Sequence, residues 1–368
     1  MGRRAACAAR FRMVTNGQQG QVELPSPRGP LSAHVFAVLQ GPPDGLRRLP
    51  EIHHVAGALD EDEQLCLYLL QELSFRSVDG VDPGWEDAPS FLVLRAALER
   101  AMEHALRLEV GHGRCPPEDI AGALRELISA AEGPSLSTWM VEQGTIDHVR
   151  EFVAHRAAYQ LKEADPHSFA IPRLAPGRAK AALLTIQLDE YGGSVPSESH
   201  ASLFAVTMET LGLDGTAPDL DRIPVTTLAT NTFLNRLGRS RRLLGACLGH
   251  LAVFEMTSVE PMARYAATLR RALAGADGTR AARFFDVHVA ADGYHERIAI
   301  DEMVGGLVEQ HPELAPEVLF GAAGLMQVEQ AFTDHLLSCW DQGCSSLRRP
   351  LPGSDLRPVP AGFYARAS

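Results

Sequence analysis

The segment Phe284–Glu296 (FFDVHVAADGYHE) places His288, Asp292 and His295 at i, i+4 and i+7. On a helix turning about 100° per residue they fall near 0°, 40° and −20°, one above the next on a single stripe. Two imidazoles and a carboxylate in line are a ligand set of the type that holds non-haem iron. Phe285, Val289 and Ile298 give the other faces something to pack. The competing account of the stripe is a solvated polar face on a surface helix.

One stripe cannot complete a two-metal site, so carboxylates and imidazoles from facing helices have to join it. Glu163 ends the helical stretch Val149–Ala164, and Arg156 and Tyr159 share its face at i−7 and i−4, where they could hydrogen-bond it. Glu190 closes the stretch after Pro176, beside Asp189, and His200 opens the next helix ten residues on. Neighbours on a helix differ by about 100°, so Asp189 and Glu190 cannot face one metal equally. Taken singly, each of these acids also reads as a solvated surface residue. His250 and Glu255 stand in LGHLAVFEMTS, either as a buried hydrogen-bonded pair or as substrate-pocket groups. His104, His148, His155, His311 and His335 have no partner at ligand spacing.

Nitrogen ligands among several carboxylates suit iron or manganese rather than structural zinc. A ferritin-like site needs two E-x-x-H motifs on separate helices, and only Glu51–His54 has that spacing, just after Pro50 and outside a clear helix. No G-x-S-x-G is present, Gly192-Gly193 ends a helix rather than following a strand, and Cys247 has no clear base beside it.

Helices have to position these groups, and helix signals dominate. Asp62–Phe75, Ser90–Leu108 with Ser90 in cap position, and Pro117–Ala131 after Pro116 carry apolar residues at helical spacing. A break at Glu132–Ser135 separates an N-terminal helical layer, 29–134, from a core, 135–344. In the core the pattern predicts helices over Ser137–Ala164 with an interruption near Gly144, Pro176–Tyr191, Ser197–Leu211, Val225–Gly238 and Arg239–Glu255. Pro261–Ala274, Gly278–Val304, Pro312–Phe320 and Gly321–Trp340 complete the series, and Asp165 reads as an N-cap before Pro166. Strand alternation is almost absent, which predicts an all-α fold. Residues 1–28 read as a disordered leader. Residues 345–368, with Pro350, Pro352, Pro358 and Pro360, read as a Pro-rich tail of the same kind.

With 368 residues, 45% of them apolar, the chain can bury a sizeable core without staples. A net charge of −12 leaves no basic footprint for nucleic acid. Cys7, Cys66, Cys115, Cys247, Cys339 and Cys344 are scattered without a C-x-x-C, the pattern of reduced thiols. The Arg-rich start has no apolar h-region and no stretch approaches 18 apolar residues. The expectation is a cytoplasmic protein with no signal peptide and no membrane span.

The order Glu163, then Glu190 and His200 (EYGGSVPSESH), then the H-x3-D-x2-H helix resembles the haem-oxygenase-like diiron oxidases and oxygenases, a family of iron-containing redox enzymes. LKEADPHSFAIPRL and AKAALLTIQLDEYGG carry the same resemblance, which covers Ser135–Trp340. It implies a haem-oxygenase-like helical bundle with an added N-terminal layer, and two irons per chain held by Glu163, Glu190, His200, His288, Asp292 and His295. Some relatives have a His seven residues after the first Glu. Here that position is Ala170, and His167, four residues after Glu163, is a ligand, a substrate contact or a bystander. The implied activity is O2-dependent oxidation of a small organic substrate: N-oxygenation of an amine, oxidative C–C cleavage, or desaturation of an amino or fatty acid. An external electron donor and a homodimer are compatible with it. The alternatives are a metal-free enzyme of the same fold, oxidase or thiaminase-like, and an iron-binding helical protein without turnover.

Overall fold

A computed structural model describes residues 21–43, 58–111 and 117–360. Glu51–His54, Cys7, Cys115 and Pro116 lie outside the described residues, as do 1–20 of the expected leader and 361–368 of the expected tail. The N-terminal layer holds α1 (Pro30–Leu39), α2 (Glu61–Glu72), α3 (Pro89–Val110) and α4 (Ile120–Ser129). Asp60 caps α2, accepting from the backbone N–H of Asp62 and Glu63 at 2.9 Å each. Pro89 rather than Ser90 opens α3, with Ala88 in the cap position, because the fixed φ of proline suits the first helical residue.

The rest of the chain runs through α5 (Leu136–Gln143), α6 (Ile146–Gln160), the single turn α7 (Asp165–Ser168), α8 (Arg178–Glu190) and α9 (His200–Thr210). Then come α10 (Val225–Arg239), α11 (Leu244–Thr257), α12 (Val259–Leu273), α13 (Gly275–Arg297), α14 (Gly305–Gln310) and α15 (Ala315–Trp340). The fold is all-α, and among the described residues there is no strand, only the isolated bridges Val22–Val78 and Cys344–Arg357. No single helix among them is long and apolar enough to cross a membrane. One apolar cluster joins α2, α3, α10, α11 and α15; a second, rich in Phe152, Phe204, Phe284, Phe285 and Phe332, lies among α6, α9, α12, α13 and α15.

Several expectations change. Asp165 is the first residue of α7 rather than its cap, and accepts from the Tyr191 hydroxyl at 2.9 Å. The last turns of the predicted Gly278–Val304 helix widen into a π-helical stretch, Ile298–Val304. The predicted break at Gly321 is not there. A Cβ on Gly321 would stand 1.9 Å from the Ala246 carbonyl oxygen, and one on Gly249 2.0 Å from that of Val318, so these glycines let α11 and α15 cross closely. The described part of the leader is packed, with Val22 buried and its carbonyl accepting from Asp79 N at 2.8 Å. The described part of the tail is packed too: Ser345 and Ser346 are wholly buried, because Glu151 of α6 takes its hydrogen bonds from them.

Candidate metal centre

Local chemistry delivers each acid to one place. The end of α8 is fixed by Gly192 and Gly193, both at positive φ (+80° and +61°), and a Cβ on Gly192 would meet Ser199 N at 2.4 Å. That tight reversal holds Glu190, the last residue of α8, close to His200, the first of α9, whose cap Ser199 accepts from Ser202 N at 3.3 Å. Glu163 sits just past α6, in a turn anchored by its neighbour. The fully buried Lys162 ammonium donates to Glu72 of α2, which also takes Arg76 Nε at 3.0 Å. With its amide nitrogen turned inward, Gln160 donates to both Glu163 oxygens, at 2.6 and 3.1 Å.

Four buried side chains, Glu163, Glu190, His200 and His288, bring one donor atom each to within 4.8 Å of one another. A second group meeting the same limit is Glu190, Glu255 and His295, so Glu190 belongs to both. His200 Nδ1 lies 2.8 Å from Glu190 Oε2, His288 Nε2 is 3.4 Å from Glu163 Oε1, and His295 Nδ1 is 3.4 Å from Glu255 Oε2. Yet Glu190 Oε2, His200 Nδ1, His288 Nε2 and His295 Nδ1 are all buried without a hydrogen-bond partner. Leaving a buried polar atom unmatched costs about 1–3 kcal/mol, so four in one place suit a bound cation that would match them together.

The tautomers agree with an inward lone pair. His288 Nδ1 sits 2.9 Å from the Phe284 carbonyl, which can only accept, so Nδ1 carries hydrogen and Nε2 turns to the cluster. His295 Nε2 is 2.9 Å from Asp189 Oδ2, leaving Nδ1 for the interior. Burial pushes Glu190 up to about 7 and, with Glu255 adding to it, Asp292 up to about 6. It raises Glu163 and Glu255 as well, against the pull of the histidines. Burial opposes the charge on His288 and His295, but carboxylates outweigh it, Glu163 foremost for His288 and Glu255 for His295. They reach about 10 and 9. Burial and the nearby His288 bring His200 down to about 4. Without a cation the acids thus share protons with two imidazoles. A divalent ion would displace those protons and leave neutral imidazoles as ligands.

Of the sequence candidates, Glu163, Glu190, His200, His288 and His295 converge. Asp292 borders the same small cavity of about 50 Å³ and lies outside both groups; Ser258 donates to it, and its Oδ1 is 3.8 Å from His295 Nδ1. Asp189 orients His295 from a half-exposed position. Glu255, read with His250 as a buried hydrogen-bonded pair or as pocket groups, stands in the second group, while His250 meets His167 instead. The signal of Glu255 was an acid on the otherwise apolar face of α11. His167 borders the small cavity and meets His250, Nε2 to Nδ1 at 3.2 Å. Burial holds both imidazoles neutral, His167 at about 3. Arg156 does not reach Glu163: it pairs with Glu329 at 2.7 and 2.6 Å. Tyr159 lines the cavity and stacks on Phe254 with ring centroids 5.7 Å apart. Sequence reasoning missed Gln160, Ser258 and the Lys162–Glu72 anchor, although Gln160 lies one turn before Glu163.

Residues 150–330 match the model of a family described as iron-containing redox enzymes. A nitrosourea synthase from Streptomyces achromogenes subsp. streptozoticus is 30% identical over 150 residues, which cover 39% of this chain and 31% of that protein. The match thus spans about a third of the curated relative's length. A solved Cadd-like protein of unknown function from Nostoc punctiforme PCC 73102 is 18% identical, with a TM-score of 0.48, over 60% of this chain and 97% of that one. Through residues 150–330, just under half of its length, this chain is similar to the family of iron-containing redox enzymes.

Proposed function

We propose that this protein is a non-haem, diiron, O2-dependent oxidase or oxygenase of a small organic substrate. The observation that carries the reading is the set of four buried donor atoms without hydrogen-bond partners, gathered in two groups that share Glu190. Glu163, Glu190, His200 and His288 would hold one iron. Glu190, Glu255 and His295 would hold the other, with Asp292 at the cavity wall as a further carboxylate within reach. Bound iron supplies the redox capacity to activate dioxygen, with substrate and an external donor as sources of electrons.

The chain's own residues do the rest. Asp189 and the Phe284 carbonyl fix the two histidine tautomers, and Gln160 holds the Glu163 carboxylate. Tyr159, Leu251, Phe254 and Met262 wall the centre with apolar surface that excludes water. The similarity to a nitrosourea synthase, whose product by its name carries an oxidised nitrogen, favours N-oxygenation over C–C cleavage and desaturation.

Anaerobic titration of the metal-free protein with ferrous iron tests the assignment. Uptake of about two equivalents per chain is expected from two ligand groups. One equivalent would reduce the site to a mononuclear one, and zero would remove the iron reading altogether.

A further inference from the structure

Next to the metal cluster lies a larger cavity of about 280 Å³ that shares Tyr159, Gln160, Phe254, Ser258 and Met262 with the small one. Its volume is near the lower end of the roughly 300–1,000 Å³ of small-molecule sites, so it suits a ligand of amino-acid size. Aromatic rings make up part of the walls, with Phe152, Phe204, Tyr265, Phe284 and Phe285 among them. Among the described residues, Arg156 and Glu329 are its only charged lining residues, and they form a bidentate pair with each other. Their side chains are 15% and 23% exposed, the guanidinium lying over the ring of Phe332 at 4.3 Å.

A guanidinium has five N–H donors, and Glu329 takes two of those on Arg156. The pair cancels its own charge. An anion alone would face Glu329 at close range, and a cation alone would face Arg156. A zwitterion can meet both, its carboxylate on the remaining Arg156 N–H groups and its ammonium on Glu329. Arg156 lies one turn before Gln160, the last residue of α6, and Glu163 sits just past that helix. A head group held there leaves the ligand's side chain to run past the aromatic rings toward the metal cluster.

Resting on the iron reading of the neighbouring cluster, we infer that this cavity binds a zwitterionic amino acid with an apolar or aromatic side chain. The Arg156–Glu329 pair grips its head group, and its side chain points at the Glu163–His288 end. The pair therefore selects amino acids over fatty acids and over simple amines.

The test is calorimetric titration of the metal-free full chain with the apolar and aromatic L-amino acids. Each is compared with its amine lacking the carboxylate and its acid lacking the amine. Binding of at least one amino acid is expected, with both truncated analogues weaker by about tenfold or more, the size of one lost charge-assisted contact. Glu329→Gln should weaken the amino acid by a similar factor and strengthen the acid analogue, which no longer faces a carboxylate; Arg156→Gln should weaken the amino acid and strengthen the amine. Should a single variant fail to fold, Arg156→Met/Glu329→Met leaves no lone buried charge and should abolish the preference for the zwitterion. Analogues that bind as tightly as the amino acids, or a protein that binds no member of the panel, would overturn the inference. Ferrous titration of the same samples keeps the two readings apart: a protein that binds the amino acid but takes up no iron defeats the iron reading and not this one.

Discussion

Glu151 and Glu190 are both buried carboxylates, and their surroundings differ in kind. Glu151 is wholly enclosed, and Trp340 Nε1, Ser346 N and Ser346 Oγ donate to its Oε2 at 2.9, 2.8 and 2.7 Å, while Ser345 Oγ donates to Oε1. Glu190 Oε2 has His200 Nδ1 at 2.8 Å but no donor, and burial lifts its carboxyl to about 7. One acid is stabilised as an anion by the protein itself. The other is held in place and left unmatched. Burial of a charged side chain is therefore not the mark of a site in this bundle; the convergence of unmatched carboxylate and imidazole atoms from several helices is.

The largest expected effect follows from the shared position of Glu190. Glu190→Ala should reduce ferrous uptake from about two equivalents to none, because both groups lose a member. His288→Ala and Glu255→Ala should each cost one group and leave about one equivalent, with the fold retained by thermal melting. Metal analysis of desalted protein reads all three. A Glu190→Ala protein that still takes up two irons would make Glu190 no different in kind from Glu151.

Glu151 should behave in the opposite way. Glu151→Ala strands the Trp340 indole N–H and the Ser346 backbone N–H in the core, at an expected cost of about 3–5 kcal/mol in chemical denaturation, the range for a broken buried network. Iron uptake per folded chain should stay unchanged. Ending the chain at Cys344 removes the serine donors and should cost a similar amount. Loss of iron in either protein would join the two regions that the comparison separates.

Asp189→Asn is a finer probe. The side chain keeps its size but loses the charge facing His295 Nε2. An outer hydrogen-bond partner of a metal-ligating histidine is typically worth about 10–100-fold in affinity. The weaker iron, as read by competition with a chelator, should shift by that factor. A shift of less than about twofold would leave Asp189 a surface acid.

The histidine stripe was legible because its geometry is local: three residues within eight positions of one helix fix their own relation. Glu163, Glu190 and His200 were legible only through family resemblance, since nothing within α6, α8 or α9 alone says that they meet. Glu255 was half legible, as an acid on an apolar helix whose partners lie on other elements. The Lys162–Glu72 pair and the Glu151 network were not legible, because they join residues 90 and about 195 positions apart. Composition misled for the tail: its prolines read as disorder, while Ser345 and Ser346 serve a carboxylate in α6 that cannot be left bare.

The smallest effect tests how that network extends. His155 on α6 is fully buried, with Nδ1 2.7 Å from Thr227 Oγ1 and Nε2 2.9 Å from Ser346 Oγ. The one hydroxyl hydrogen of Ser346 is committed to Glu151, so His155 Nε2 must carry the hydrogen of its bond and Nδ1 must accept from Thr227. Burial, with His335 and Arg156 adding to it, holds this imidazole neutral well below its usual range. An imidazole with a depressed folded pKa contributes stability above its unfolded value, near 6.5, and that contribution is lost as pH falls toward the folded pKa, because only the unfolded chain takes up the proton. The limiting slope for one proton is about 1.4 kcal/mol per pH unit. Metal-free wild type and His155→Gln should therefore give stability curves separated by a constant amount above about pH 8, with the gap shrinking at up to that slope below about pH 6. His167 and His250, depressed in the same direction by burial, contribute to both proteins and drop out of the difference. Parallel curves down to about pH 5 would mean that His155 takes up a proton in the folded protein as readily as in the unfolded chain. Thr227 would then have to accept rather than donate, and the chain from His155 through Ser346 to Glu151 would be an ion pair bridged by a hydroxyl instead of a neutral relay ending on an anion.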